Sequence, residues 1–551
     1  MKSKRLFYIL LIAWMLLDLF VAISVPVHPD EVYYAMYGKF LDWGYYDHPP
    51  MVALLTFFSS LLFKGSLSIR FLTVLLHGAT VWLLWRTLSM KEEDSHSVKV
   101  FFIVSFSMIM FSAYGVITTP DAPLLFFAAL FFFLYEKYLE GNSWCIAFGL
   151  GVVLACMLYS KYMAVLVLAC LLLSNLKVLK DPKIWMAGLL AALLFVPHAL
   201  WQYRNGFPSM QYHLVGRNEG FSFKYILEYW PNQLMVFNPV CLGLALFFCW
   251  KKRKTENLFE KFCLYTMVGF VFFFWLMTLK GHAEPHWTTT ASIPMILLLS
   301  NQLQELRWRK WLRYGILPVA LLMLLARVVL PVLSIPSVGA FKQHQKMEAV
   351  HQYCGDTPVV FLNSFQEPAL YSYYTARPSV VLSSVYGRRT QYDIWQWDKE
   401  LQGKPVFAIG KNLKEWKIAG VCEVDAGSDG PFFVRKYNSF QGTNRIEITV
   451  NQYDVANDTL ILDLTMANPY SVPFDFHHPE FATTLLLAYL FEHYVIMNCP
   501  VPEDLVIPAG GEVSFTTKTK LLPDVPFVLC VDNEICRAVN SKPMSVSKIK
   551  N

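Results

Sequence analysis

Carboxylates beside a membrane span are costly unless they are solvated, paired or at work. Residues 28–50, HPDEVYYAMYGKFLDWGYYDHPP, set Asp30, Glu31, Asp42 and Asp47 among tyrosines directly after the first apolar run. Asp30 and Glu31 open a stretch in which Tyr33, Tyr34, Tyr37 and Phe40 recur at helical spacing. That pattern predicts a helix lying along the membrane surface with two acids at its N-terminal end. The plain reading of Asp30 is a helix cap; the chemical reading is a base that takes the proton from an attacking hydroxyl or amine. TTPDAP at 118–123 holds Asp121 between two prolines, where the backbone cannot continue either neighbouring helix freely, so the result is a fixed carboxylate or another cap. Lys161, in YSKYM beside Tyr162, is a lone lysine between two apolar runs. It either snorkels or offers a cation at the depth of a phosphate headgroup.

KGHAEPHW at 280–287 contributes Lys280, His282, Glu284, His286 and Trp287. His282 and Glu284, with His286, could ligate a divalent cation, although Pro285 interrupts the spacing and a fourth ligand is missing. The competing reading is hydrogen bonding to a sugar or a pyrophosphate-like group, with Trp287 as a stacking or interface residue. Arg204 and Arg217, on the 201–220 loop, are further cationic donors or simply solvated arginines. Together these loops gather acids (Asp30, Glu31, Asp47, Asp121), cations (Lys161, Arg204, Lys280) and the side chains of Tyr33, Tyr34, His48 and Tyr162. Such a set suits transfer from a lipid-linked phosphosugar. A carboxylate deprotonates the acceptor while positive charge receives the leaving lipid phosphate. The sequence shows no Gly-rich phosphate loop, which disfavours a nucleotide-driven mechanism.

The elements that must position these residues are membrane spans. The chain has 551 residues, of which 55% are hydrophobic and only 16% charged, with a mean hydropathy of +0.38, the composition of a polytopic membrane protein. The net charge of +6 is spread in short clusters between apolar runs, a topology signal with no nucleic-acid motif beside it. Runs near 6–26, 68–88, 99–117, 122–140, 143–160, 162–178, 184–202, 226–249, 260–279, 287–305 and 312–334 make about eleven spans, each needing roughly 20 mostly apolar residues, while 51–63 reads as a membrane-surface helix. The first run lacks a cleavage site and reads as a retained signal anchor. Lys2, Lys4 and Arg5, then Arg86, Lys91, Lys137, Lys177, Lys180, Lys183, KKRK at 251–254 and RWRKWLR at 307–313, all fall on one side. This orients the N-terminus to the cytoplasm and the polar loops and the C-terminus outside.

From about 335 the composition changes, and strand-like alternation appears in RIEITVNQY and DTLILDLTMANPY. We read 1–335 as the membrane domain, 341–437 as a small α/β piece and 445–551 as a β-sandwich-like piece, divided at NSFQGTN. Six of the 11 cysteines sit in spans; of the five in the tail, Cys530 and Cys536 are the pair that spacing favours for a disulfide.

The ordered motifs HPDEVYYAMYGKFLDWGYYDHPP, TTPDAP, YSKY, PHALWQYRNGFPSMQYHL and EPHW resemble the loop motifs of bacterial GT-C glycosyltransferases, in the branch of the protein O-mannosyltransferases and the lipid A aminoarabinose transferase. The resemblance covers about 1–335 and implies a polyprenyl-phosphate sugar donor, an inverting single displacement and a periplasm-facing cavity in the bacterial inner membrane. By that resemblance the catalytic aspartate is Asp30, with Glu31 beside it, Asp121 matches the second acidic loop, and Lys161 falls at the donor phosphate. The acid and histidine that bind metal in aminoarabinose transferases have no assigned counterpart in GHAEPHW or at His48, so a divalent metal stays open. The segment 364–378, SFQEPALYSYYTARP, resembles the small soluble domain of this branch. The acceptor is an envelope glycolipid, lipid A, a glycan or a protein. A transporter or flippase of lipid-linked sugars is the alternative; it should show repeated halves with polar groups near the midplane, whereas no internal repeat is seen in the sequence. An envelope scaffold would not require so many spans.

Overall fold

The computed structural model describes residues 2–88, 94–141, 143–213, 220–333, 342–415, 418–425, 430–456, 458–490, 495–522 and 525–545. The chain divides into two compact units, Met1–Phe341 and Lys342–Asn551. Arg217 lies outside the described residues.

The first unit is helical. Its leading helices are α1 (Lys2–Ser24), α2 (Pro29–Lys39), α3 (Met51–Leu62), α4 (Leu67–Thr87), α5 (Ser95–Ser107), α6 (Ile109–Ala113), α7 (Asp121–Gly141), α8 (Trp144–Ser160), α9 (Ala164–Ser174) and α10 (Pro182–Arg204). Among the described residues, six helices are long and apolar enough to cross a membrane: α1, α4, α7, α10, Leu258–Met277 and Leu306–Leu333. A seventh span is possible if Phe223–Phe237 and Pro239–Lys251, bent by 99° at Asn238, count together. The protein is thus a multi-pass helical membrane protein, with fewer full-length spans than the eleven apolar runs predict. Several runs are broken by local chemistry. The 99–117 run splits at Met108, which is extended. The 226–249 run turns at Asn238, whose φ of 68° lies in the left-handed region and whose side chain caps the following helix. The 287–305 run begins as a 3-10 turn, Pro285–Ala291, before Ser292–Gln302. One apolar core runs through the unit, from Phe7 and Trp85 through Phe132 and Phe262 to Leu299.

Two helical relationships place the polar loops. The helices α7 and α8 pack as an antiparallel hairpin, so the N-terminus of α7 and the C-terminus of α8 lie at the same end. The helix α2 forms where it is predicted but is capped differently: His28, not Asp30, is the N-cap, its Nδ1 accepting from the Asp30 amide, while Glu31 accepts from the His28 amide to close a capping box.

The second unit opens on a five-stranded sheet in the order β2-β1-β3-β5-β4, with β1 (Val359–Leu362), β2 (Ser379–Leu382) and β3 (Val406–Ile409) parallel and β4 (Cys422–Val424) and β5 (Phe432–Tyr437) antiparallel. Its parallel strands are buried throughout, as strands covered on both faces must be. A β-rich part follows. Thr459–Ala467 pairs with Glu447–Ala456 and Glu512–Lys520; Thr484–Tyr489 lies between Val495–Cys499 and Phe527–Asp532. The two sheets enclose one apolar cluster, including Leu460, Leu462 and Leu464 from one and Leu485, Leu487 and Leu529 from the other, the packing of a sandwich. A second cluster joins Val360, Leu382 and Tyr437 to Phe481, Ile535 and Ala538. All cysteines are free. The expected Cys530–Cys536 bridge does not form because the two thiols face different clusters: Cys530 packs with Val385 and Leu486, and Cys536 lies against Ser383 O and Asn444 Oδ1.

Candidate active site

Asp121 is the first residue of α7, and Lys161 follows α8 in extended backbone. The hairpin brings them together: Lys161 Nζ is 2.8 Å from both carboxylate oxygens of Asp121, and both side chains are buried. Each sits at the helix end that favours its charge, the acid at an N-terminus and the cation at a C-terminus. His286, from the 3-10 turn that packs on α7, brings Nε2 to 3.9 Å from Asp121 Oδ2. Tyr114 completes the cluster. Its ring lies 6.0 Å from that of His286, and burial, with the charges of Asp121, Asp30 and Glu284 acting in the same direction, raises the pKa of its hydroxyl.

Asp30 keeps a partly exposed side chain, 3.7 Å from His28 Nδ1. Its neighbour is the opposite case. Glu31, proposed from sequence as part of an acid pair, is fully buried and is taken up by structure. Arg70 donates Nε to Oε1 at 2.8 Å and Nη2 to Oε2 at 2.5 Å, and the amides of His28 and Thr118 donate to the two oxygens. The same guanidinium reaches the carbonyls of Ala22, Val25 and Pro26 at the end of α1. Glu31 therefore joins α1, α2, α4 and the 118 turn, and leaves Asp30 as the solvent-facing acid of the two.

The loop 41–50 forms a second wall. Tyr37 donates to Asp47 Oδ1 at 2.7 Å and stacks on Tyr45 at 4.0 Å; burial, reinforced by Asp47, raises the Tyr37 pKa, so it remains a donor. Tyr33 is buried against Tyr37, and Tyr34 lies edge-on to His48 at 5.5 Å. Burial pushes the His48 imidazole down to about 3; nearby Lys161 and His213 act in the same direction, against Asp47 and Asp121. His48 is neutral at physiological pH, with Nδ1 making no hydrogen bond among the described residues. The loop is fastened to α10. His198 Nδ1 is 2.7 Å from Trp43 O and therefore donates, which leaves Nε2 to accept from Tyr162 at 2.8 Å. Trp201 donates to Asp42. Gly44 is required here, because a Cβ would meet the Trp201 ring at 2.5 Å.

Other expected residues are not drawn in. Arg204 and Lys280 are exposed. Trp287 packs on Phe274 in the core, at a ring distance of 5.5 Å. His282 and Glu284 pair with each other at 3.8 Å, and no group of three His, Cys, Asp or Glu side chains suited to a metal occurs among the described residues. His286 turns to Asp121 instead. Residues that the sequence reading did not single out are Arg70, Tyr114, His198 and His213. Arg70 carried the clearest signal, a charge placed inside an apolar run.

The family model of dolichyl-phosphate-mannose-protein mannosyltransferases matches residues 47–201, the segment that holds Asp47, Asp121 and Lys161. Over that segment the chain resembles the dolichyl-phosphate-mannose-protein mannosyltransferase family. It is similar to the lipid A galacturonosyltransferase RgtD of Rhizobium johnstonii, 24% identical over 306 residues that make up 52% of this chain and 62% of that protein. The chain thus spans somewhat under two thirds of the length of that curated relative. In fold it is similar to ArnT from Cupriavidus metallidurans, whose crystal structure contains undecaprenyl phosphate. The TM-score is 0.58 at 14% identity, covering 78% of this chain and 97% of that one.

Proposed function

We propose that the protein is an integral membrane glycosyltransferase that moves a sugar from a polyprenyl-phosphate donor to an envelope acceptor at the periplasmic face of the bacterial inner membrane. The observation that carries this reading is the buried Lys161–Asp121 pair with His286 beside it and Tyr114 against His286, next to the Thr118 turn whose amide holds Glu31, the neighbour of Asp30. In the reaction, Asp30 takes the proton of the acceptor hydroxyl or amine as that atom bonds to the anomeric carbon. The bond from the anomeric carbon to the phosphate oxygen breaks from the opposite side, and its electron pair leaves on the phosphate. Lys161 and His286 receive that charge, with Asp121 beside both donors. One displacement of this kind inverts the anomeric centre.

The relative that acts on lipid A and the structural neighbour that contains undecaprenyl phosphate support a lipid donor and, among acceptors, put a glycolipid first. Under this reading the 341–437 and 445–551 pieces are soluble domains on the periplasmic side. The test is to incubate the purified protein with labelled undecaprenyl-phosphate sugars and lipid A vesicles, comparing the native chain with Asp30→Asn and Lys161→Ala. Glycosidic product from the native chain and its loss in both variants are expected. Transfer that survives Asp30→Asn undiminished, or donor translocation with no glycosidic product, overturns the proposal; the latter outcome is that of a flippase.

A further inference from the structure

Three ionisable side chains meet inside the apolar body of the helical unit. Asp18 of α1, His77 of α4 and Arg327 of Leu317–Leu333 are all buried. Arg327 Nη1 pairs with Asp18 Oδ1, and His77 Nδ1 lies 2.8 Å from Asp18 Oδ2. Three separate spans each supply one member, so the network is complete only when all three are packed. Charges at such depth are expensive and are kept where they perform a task.

The network also grips one particular segment, Ile109–Thr118. Arg327 Nη2 donates to Ser112 O. The His77 ring stands edge-on to Phe111 at 5.1 Å and covers Gly115, where a Cβ would come within 2.2 Å of Nδ1. Thr73, one turn before His77 on α4, meets the Thr118 hydroxyl at 2.7 Å. Thr118 then donates its amide to Glu31, the neighbour of Asp30, and Tyr114 lies within the gripped segment.

We propose that Asp18, His77 and Arg327 are positioning residues: a buried charge clamp that fixes the Ile109–Thr118 segment, and through it the relative placement of Tyr114 and the Asp30–Glu31 end of α2. The role in catalysis rests on the glycosyl-transfer reading; the mechanical role does not. Arg327→Met removes the grip on Ser112, and Gly115→Ala pushes the segment off His77 without touching any charge. Arg327→Lys keeps the charge.

The experiment uses the full chain in lipid nanodiscs and measures amide hydrogen exchange of peptides covering 109–118, together with turnover and donor KM for undecaprenyl-phosphate sugars with lipid A vesicles. Exchange is expected to rise at least tenfold in Arg327→Met and Gly115→Ala. Turnover should fall at least tenfold in both while donor KM stays within threefold, and Arg327→Lys should restore most of it. A fall in overall stability alone would raise exchange across all spans, not in this segment alone. If Arg327→Met does not fold, Gly115→Ala and Arg327→Lys carry the test. Exchange at 109–118 that matches the native chain in folded variants overturns the clamp whatever the turnover. Raised exchange at 109–118 in a chain that never transfers sugar sustains the clamp and removes the transferase reading instead. Raised exchange with native turnover overturns its catalytic role.

Discussion

Lys161 and Asp121 form one buried ion pair, the ammonium equidistant at 2.8 Å from the two carboxylate oxygens. Neither group is independent, so removing one leaves the other buried without its nearest partner. Asp121→Asn or Lys161→Met should each cost about 3–5 kcal/mol of stability, and the double variant less than the two together. Reversible unfolding in mixed micelles measures this; additive losses would mean that the pair is not coupled.

Asp30 is expected to separate chemistry from stability. Its side chain is 36% exposed, so Asp30→Asn should change stability by no more than about 0.5 kcal/mol. Transfer should fall by roughly 100-fold or more if Asp30 is the base. The comparison is between initial transfer rates and unfolding midpoints of the same preparations.

Glu31 behaves in the reverse sense. Its partner Arg70 makes a forked contact and also reaches three carbonyls, which an ammonium group cannot reproduce. Arg70→Lys should therefore destabilise the fold, by about 2–3 kcal/mol, and lower the yield of folded protein in detergent. A native unfolding midpoint for Arg70→Lys would contradict this.

The His48 imidazole gives a pH signature. Its pKa is lowered from an ordinary value near 6.5 to about 3 in the folded chain. Between those limits the unfolded chain binds a proton that the folded chain does not, so stability rises with pH across the window and is lost as pH falls through it. His48→Gln should flatten the dependence of stability on pH between about 3 and 6.5. Above that window His48 is neutral in both states, and the variant and the native chain should show the same slope.

What could be read from residues alone follows from how each signal arises. The polar loops stand out against apolar runs, so Asp121, Lys161 and His286 were recognisable, and strand alternation marked Thr459–Ala467, whose side chains alternate between half-buried and buried. Partnerships were not recognisable. Nothing in HPDE says that Glu31 turns inward to an arginine 39 residues later while Asp30 stays outside, because the choice depends on where α4 crosses α1. Apolar runs also hid their own exceptions. Asp18, His77 and Arg327 each lie inside a predicted span, where a single charge barely alters a hydropathy average, and their pairing needs three spans that are distant in sequence. The count of full-length spans differs for a similar reason, since composition does not register a break at Met108 or a 99° bend at Asn238.

The α7–α8 hairpin acts as a molecular ruler. Asp121 and Lys161 are 40 positions apart, and that interval is measured out along one helix and back along the other. Adding a single residue to either arm would rotate everything beyond it by about 100°, swinging the ammonium away from the acid while leaving hydrophobicity and composition untouched. An insertion that keeps the ion pair is therefore expected only in the short connection between the two helices, at the far end from the acid.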